Sequence, residues 1–256
     1  MLGALKAKLH VITGSIPCAA VEAAMEIKGF EYRRVELPFV LHRLPQRLRY
    51  GRPTVPGLTL PDGEKVIGST AILHRLEALA PEPPLYPADP QARAAVEAAE
   101  TWCDEVLQDA VRGIEMALFR RRPGALLSYA EATTLPAPKW LIRAQAPIIL
   151  RRYSKARGAD DAGARAAVEA FPGYLDRMDD LIGEGTIGGP SPNAADLQLG
   201  AVIMLFGSLK DLAPMLAGRP CAALARRYPP MIGEVPAGTA PADWSSAVAP
   251  EPARRR

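Results

Sequence analysis

Lys8-Leu9-His10-Val11-Ile12-Thr13-Gly14-Ser15-Ile16-Pro17-Cys18 is the stretch on which the fold of this 256-residue chain turns. Residues 8–13 are rich in β-branched side chains and read as a short strand. Gly14 to Pro17 reads as a turn with a helix start. Ser15 can serve as N-cap, and proline is tolerated in the first helical turn. Val21, Ala24, Met25 and Lys28 follow at helical spacing, and Gly29 supplies the stop.

Working outward, residues 31–37 alternate like a second strand. Residues 38–53 are basic and read as a short helix. Thr54-Val55-Pro56, then 58–60, the turn Pro61-Asp62-Gly63 and 65–67 read as a hairpin. Ser69 opens a further helix with Ile72, Leu73, Leu76 and Leu79 as its apolar positions. The order is β-α-β-(α)-β-β-α. Residues 80–90 carry five prolines and read as an interdomain linker. Beyond it no strand pattern occurs. Helices are expected over Pro90–Arg121, over Pro138–Arg157 with a kink at Pro147, and over Asp160–Ile182 with a bend at Pro172. Ala195–Leu209 is apolar nearly all round, which predicts a buried central helix. A short helix is expected near Arg219–Tyr228. The Pro- and Ala-rich residues from Pro229 onward read as a loosely attached tail. The expected division is an α/β domain over 1–80, a linker over 81–90, an all-α domain over 91–230 and a flexible tail over 231–256.

The formal net charge of +3 is carried entirely by Arg254, Arg255 and Arg256, so the body of the chain is near neutral. That balance, without a basic face interleaved with aromatics, argues against a nucleic-acid partner. Cys18, Cys103 and Cys221 are far apart and odd in number. They form no disulfide framework and suit a reducing, cytoplasmic setting. Met1–Leu9 holds no signal-peptide apolar region. The longest nearly apolar run, Leu197–Phe206, is far short of the ~20 residues a spanning helix needs, so no membrane partner is expected. Gly183-Glu184-Gly185-Thr186-Ile187-Gly188 matches G-x-G-x-x-G but follows a helix pattern, which rejects dinucleotide binding. His10, His42 and His74 show no metal spacing.

Four local patterns, in order, resemble the glutathione S-transferase superfamily over roughly residues 8–228. Ser15-Ile16-Pro17-Cys18 resembles the S-x-P-C of delta-class enzymes. Its distance to Lys28-Gly29 also matches the omega and tau classes. Val55-Pro56-Gly57-Leu58 is similar to V-P-x-L, where the family's proline is cis. Gly68-Ser69-Thr70-Ala71-Ile72 is similar to E-S-x-A-I. Asn193-Ala194-Ala195-Asp196 is similar to the family's S/T-x-A-D helix cap. The resemblance implies a thioredoxin-like N-terminal domain followed by a helical-bundle C-terminal domain, commonly as a homodimer. It also implies conjugation of glutathione, or another low-molecular-weight thiol, to a hydrophobic electrophile in detoxification, with no metal.

On that reading Ser15 is the catalytic residue, lowering the thiol's pKa with its hydroxyl and the helix start behind it. Bringing a thiol from about 8.5 to about 6.5 takes about 2.7 kcal/mol. The plain alternative is that Ser15 only caps its helix. The backbone at Val55, beside Pro56, would hold the ligand's peptide group. Ser69, as cap of the next helix, would hold its γ-glutamyl carboxylate. Within the basic stretch His42, Arg43, Arg47, Arg49 and Arg52, Arg52 is assigned to the thiol ligand, and the rest read as a solvated face. Gly68 departs from the family's Glu or Gln. Loss of one charged hydrogen-bond partner costs about 1.5–3 kcal/mol, or roughly ten- to a hundredfold in affinity. Gly68 thus favours a second reading, a binding module without turnover. A third reading gives Cys18 a redox role, against the plainer one of a packed cysteine. Asn193 and Asp196 form a reciprocal cap with no catalytic part. Trp102 and Met116 are placed on helices that could line the electrophile pocket.

Overall fold

A computed structural model describes residues 6–39, 41–130, 133–135, 150, 160–228 and 233–245. The N-terminal domain opens with β1 (Ala7–Val11), whose side chains are buried except Lys8. An apolar strand buried on both faces belongs in the middle of a sheet, and β1 occupies such a place. It pairs in parallel with β2 (Tyr32–Glu36) and antiparallel with β3 (Gly57–Thr59). β4 (Lys65–Ile67) completes the order β2-β1-β3-β4. Between β1 and β2 runs α1 (Ile16–Ile27), which buries Ile16, Cys18, Val21, Ala24 and Met25. A short α2 (Arg43–Tyr50) precedes β3, and α3 (Ser69–Leu79) follows β4.

Lys28, at the C-terminal end of α1, is wholly buried. Its ammonium is satisfied by Glu77 Oε2 at 2.5 Å and by the Ala80 carbonyl at 2.5 Å, which ties α1 to the end of α3. Glu77 also accepts from the Leu85 amide at 2.9 Å. The proline-rich linker is thereby fixed, with Leu85 and Tyr86 buried.

The second domain is helical, as its sequence pattern requires. Asp89 caps α4 (Pro90–Trp102), accepting from the Ala92 amide at 2.8 Å, with Pro90 in the first turn. A π-helical turn, Cys103–Leu107, joins it to α5 (Gln108–Arg121), so the expected helix runs without a break. α6 (Ala125–Ala130) follows, then α7 (Asp161–Gly183), which contains Pro172 and buries Val168, Phe171, Leu175 and Met178. The helix expected over 138–157 lies outside the described residues except at Leu150, which is helical and buried. α8 (Ala194–Gly207) is buried on every side and packs against α1, α4 and a 3₁₀ helix at Pro220–Arg227. Its start carries the reciprocal cap. Asn193 Oδ1 accepts from the Asp196 amide at 3.0 Å, and Asp196 Oδ2 accepts from the Asn193 amide at 2.9 Å. Phe206 of α8 stacks on Phe171 of α7 at 3.8 Å between ring centroids.

The expectation of a flexible tail needs correction for residues 233–245. Val235 and Trp244 are buried in the core, and Leu209 bridges to Val235. The Asp211 carboxylate accepts from the amides of Gly238, Thr239 and Ala240 at 2.7–2.8 Å. One aliphatic and one indole side chain offset the low propensity of this Pro/Ala-rich segment; α9 (Ala242–Ser245) is its last element.

Candidate thiol-binding site

β1 and β4 both run antiparallel to β3, so they end at the same edge of the sheet. The helices that follow them, α1 and α3, therefore both begin at that edge and turn their unpaired amide ends toward it. β3 begins there too. His10 faces Gly57 in the β1–β3 register, which sets Val55-Pro56 beside the turn that leads to Ser15. Gly57 faces Ile67 in the β3–β4 register, which sets Gly68-Ser69 beside Pro56. The fold thus gathers Ser15, Val55, Pro56 and Ser69 at one corner. Arg52 precedes it on an exposed turn.

Ser15 occupies the N-cap position of α1, with extended backbone angles, yet its side chain makes no capping hydrogen bond. The hydroxyl is half-buried and lies near the Cys18 thiol, one turn into the helix. Cys18 is fully buried. Burial pushes its thiol up to about 12, against hydrogen bonds with Ser15 and the Ile12 backbone, so it is protonated at neutral pH. Cys103 and Cys221 are likewise buried, with thiols held protonated by desolvation. Arg112 of α5 brings positive charge toward this corner, where it acts on Cys18.

The Val55-Pro56 peptide bond is cis. Pro56 is buried, and its carbonyl accepts from the Gly68 amide at 3.0 Å. Ser69 is buried but is the first residue inside α3. The N-cap position belongs to Gly68, so the expectation of a serine cap moves by one residue. Gly68 has φ of 94°, a backbone that side-chain-bearing residues rarely adopt, and a Cβ there would meet nothing within 4 Å. The position is open in space and constrained in backbone.

Two features escaped the sequence reading. Glu36, at the end of β2, accepts from Thr13 Oγ1 at 2.6 Å and from the Thr134 hydroxyl and amide at 2.5 and 2.8 Å. Arg34 joins them, donating to Thr13 at 3.0 Å and to Glu36 at 3.2 Å. Residues 13 and 134 of the two domains are thereby fixed on one carboxylate beside the Ser15 turn. Glu100 of α4 is the second feature. It is buried, accepts from Gln198 Nε2 at 2.8 Å and from the Tyr86 hydroxyl at 3.2 Å, and is raised by burial to about 7. Gln198 also reaches Thr70, next to Ser69, at 3.3 Å. No residue-type motif signals either contact, because each joins positions far apart in the chain.

Trp102 is packed edge-on against Tyr174 with the Arg177 guanidinium over its face, and Met116 is buried. A concavity of about 370 Å³ at the end of α8, whose wall includes Met204, Ser208 and Tyr228, shares no residue with the Ser15 corner. Among the described residues no group of three His, Cys, Asp or Glu side chains could hold a metal ion, and no helix is long and apolar enough to cross a membrane.

Residues 9–84 match the family model described as glutathione S-transferase, N-terminal domain. A glutathione S-transferase from Rhodospirillum rubrum F11 is similar in structure, with a TM-score of 0.62 and 20% identity over 94% of this chain and 99% of that one. Glutathione transferase F7 from Populus trichocarpa gives 0.61 and 14% over 95% and 99%. A glutathione S-transferase from Methylobacterium radiotolerans JCM 2831, solved in complex with glutathione sulfonate, gives 0.55 and 22% over 87% and 88%. No curated protein matches the chain in sequence. At these identities the solved structures establish the fold alone.

Proposed function

We propose that the chain, whose residues 9–84 match the glutathione S-transferase N-terminal domain, is a member of that superfamily and joins a low-molecular-weight thiol to a hydrophobic electrophile, with Ser15 as the thiol-activating residue. The observation that carries this reading is the Ser15 hydroxyl, which stands at the start of α1 without being used as a cap. A donor in that position, backed by the positive end of a helix, stabilises a thiolate over a thiol. The thiol's proton passes to solvent and the sulfur lone pair forms the new carbon–sulfur bond, while the electrophile's carbon–leaving-group bond breaks and the leaving group departs with its electron pair, or, for an activated alkene, the π pair moves to the neighbouring carbon, which takes a proton from solvent. The Val55 backbone beside the cis-Pro56 peptide bond is assigned the ligand's peptide group. The Ser69 end of α3 is assigned its γ-glutamyl carboxylate, and Arg52 its other carboxylate. Glutathione is the first candidate thiol, and the reading extends to a homodimer acting in cytoplasmic detoxification.

A second reading, binding without turnover, is favoured by Gly68, which offers the ligand no side chain. A redox role for Cys18 is the third, and it would need a buried, protonated thiol to become accessible. Calorimetric titration with glutathione, paired with a conjugation assay on Ser15→Ala, separates them. The thiol-transfer reading expects millimolar or tighter binding and an activity loss of about tenfold to a hundredfold in the variant. Binding without turnover selects the second reading. Unchanged activity in Ser15→Ala, with loss in Cys18→Ala, selects the third.

A further inference from the structure

α2 is built inside out. Its one buried residue is a glutamine, Gln46, which donates to the Thr54 carbonyl at 2.8 Å. Tyr50 anchors its other end, with the hydroxyl bonded to His10 Nδ1 at 2.7 Å and to Thr59 Oγ1 at 2.9 Å. Gly57 leaves room for that ring, since a Cβ there would lie 2.6 Å from it. The leucines of the segment face the other way. Leu41, Leu44 and Leu48 are 68%, 66% and 79% exposed. At 3.6 residues per turn Leu44 and Leu48 form one stripe on the side of the helix opposite Gln46, and Leu41 stands exposed in the turn just before it. Arg47 and Arg49 flank the stripe on its two sides and Arg43 extends the charge, while Arg52, assigned above to the thiol ligand, lies beyond the helix. All four arginines are exposed, and among the described residues none makes an ion pair. From Leu37 to Leu60 the chain has no Asp or Glu.

We propose that α2 is a peripheral docking helix for a bilayer surface that carries anionic phospholipid headgroups. The leucine stripe would enter the headgroup–acyl boundary while the flanking arginines hold lipid phosphates. Charge selects an anionic surface. Shape and area select a bilayer over a protein, because two leucines on a two-turn convex helix and a third in the turn before it present far less than the about 800 Å² per partner of a stable protein interface. A bilayer needs no matching groove. A second copy meeting α2 to α2 across a two-fold axis would oppose arginine to arginine. The inference is independent of thiol chemistry at Ser15. It revises the expectation of no membrane partner, which rested on the lack of a spanning segment.

The test is co-sedimentation of the full chain with vesicles of phosphatidylcholine alone and of phosphatidylcholine mixed equally with phosphatidylglycerol. The mixed vesicles should bind about tenfold more tightly, and added salt should weaken the binding. Leu44→Glu/Leu48→Glu should abolish binding while circular dichroism and melting temperature stay unchanged, since both side chains stand in solvent. Arg47→Gln and Arg49→Gln should each weaken it about fivefold. A folded wild type that ignores anionic vesicles overturns the proposal, as does a leucine variant that still binds them. A change in molar mass on Leu44→Glu/Leu48→Glu, without vesicle binding by the parent, assigns the stripe to a second copy and overturns it too. So does binding to a Leu- and Glu-rich helical peptide in place of either vesicle.

Discussion

The Gly68 amide donates to the Pro56 carbonyl at 3.0 Å, so the two segments assigned to hold the thiol ligand are locked to each other. This bond fixes a glycine at φ of 94° where the family resemblance expects Glu or Gln. Gly68→Glu should therefore pull stability and affinity apart. The strained backbone should cost about 1–3 kcal/mol, seen as a lower melting temperature. The added carboxylate should tighten glutathione about ten- to a hundredfold by calorimetry, because space at position 68 is open.

Glu36→Gln should loosen the contact between the domains beside the Ser15 turn. It removes a charged acceptor shared by Thr13, Arg34 and Thr134. Its hydrogen bonds hold the Glu36 pKa below the ordinary value despite burial. A lowered carboxylate contributes stability that is lost as pH falls through its folded pKa. The variant should lose about 1.5–3 kcal/mol at neutral pH, with the difference shrinking in acid, as followed by urea unfolding.

Glu100 and Glu115 act in the opposite sense. Burial raises them from 4.5 to about 7 and about 8. Each is protonated in the folded chain and ionised in the unfolded one between those values, so the stability it contributes is lost as pH rises from 4.5 toward 7 or 8. Among the described residues Glu100 Oε2 and Gln198 Oε1 are both buried acceptors without a donor, and a proton on Glu100 makes one of them a donor. Glu100→Gln and Glu115→Gln should each be more stable than the parent at pH 8 by on the order of 2 kcal/mol, and should lose that advantage near pH 5. Burial lowers His10 and His42, which pull the other way in mild acid. The comparison of variant with parent at each pH isolates the carboxylates.

Lys28→Met should destabilise by about 3–5 kcal/mol in urea unfolding, because it leaves Glu77 charged and half-deprived of partners at the junction of α1, α3 and the linker.

The order of strands and helices in the first domain was legible because each element carries its own local signal. Residues 8–13 are rich in β-branched side chains, α1 opens on Ser15 and Pro17, and the hairpin turns at Pro61-Asp62-Gly63. The α8 cap was legible for the same reason, since Asn193 and Asp196 are three residues apart. Packing across the chain was not. Composition marks 233–245 as tail, and only the position of Val235 and Trp244 against α7 and α8 makes it core. The Ser15 corner could be assembled from family-like fragments, whereas Thr134 and Glu100 could not, because hydrogen bonds between distant residues leave no trace in spacing. The basic stretch was seen as charge alone. Its anchors, Gln46 and Tyr50, hold the helix through Thr54, His10 and Thr59, contacts that charge and spacing do not reveal.

The most direct test of the central claim is the pKa of the bound glutathione thiol, read from thiolate ultraviolet absorbance against pH in the parent and in Ser15→Ala. A thiolate stabilised by Ser15 should titrate at about 6.5 in the parent and return toward about 8.5 in the variant, a difference of about 2.7 kcal/mol. Equal values in the two proteins, with glutathione bound to both, would contradict it.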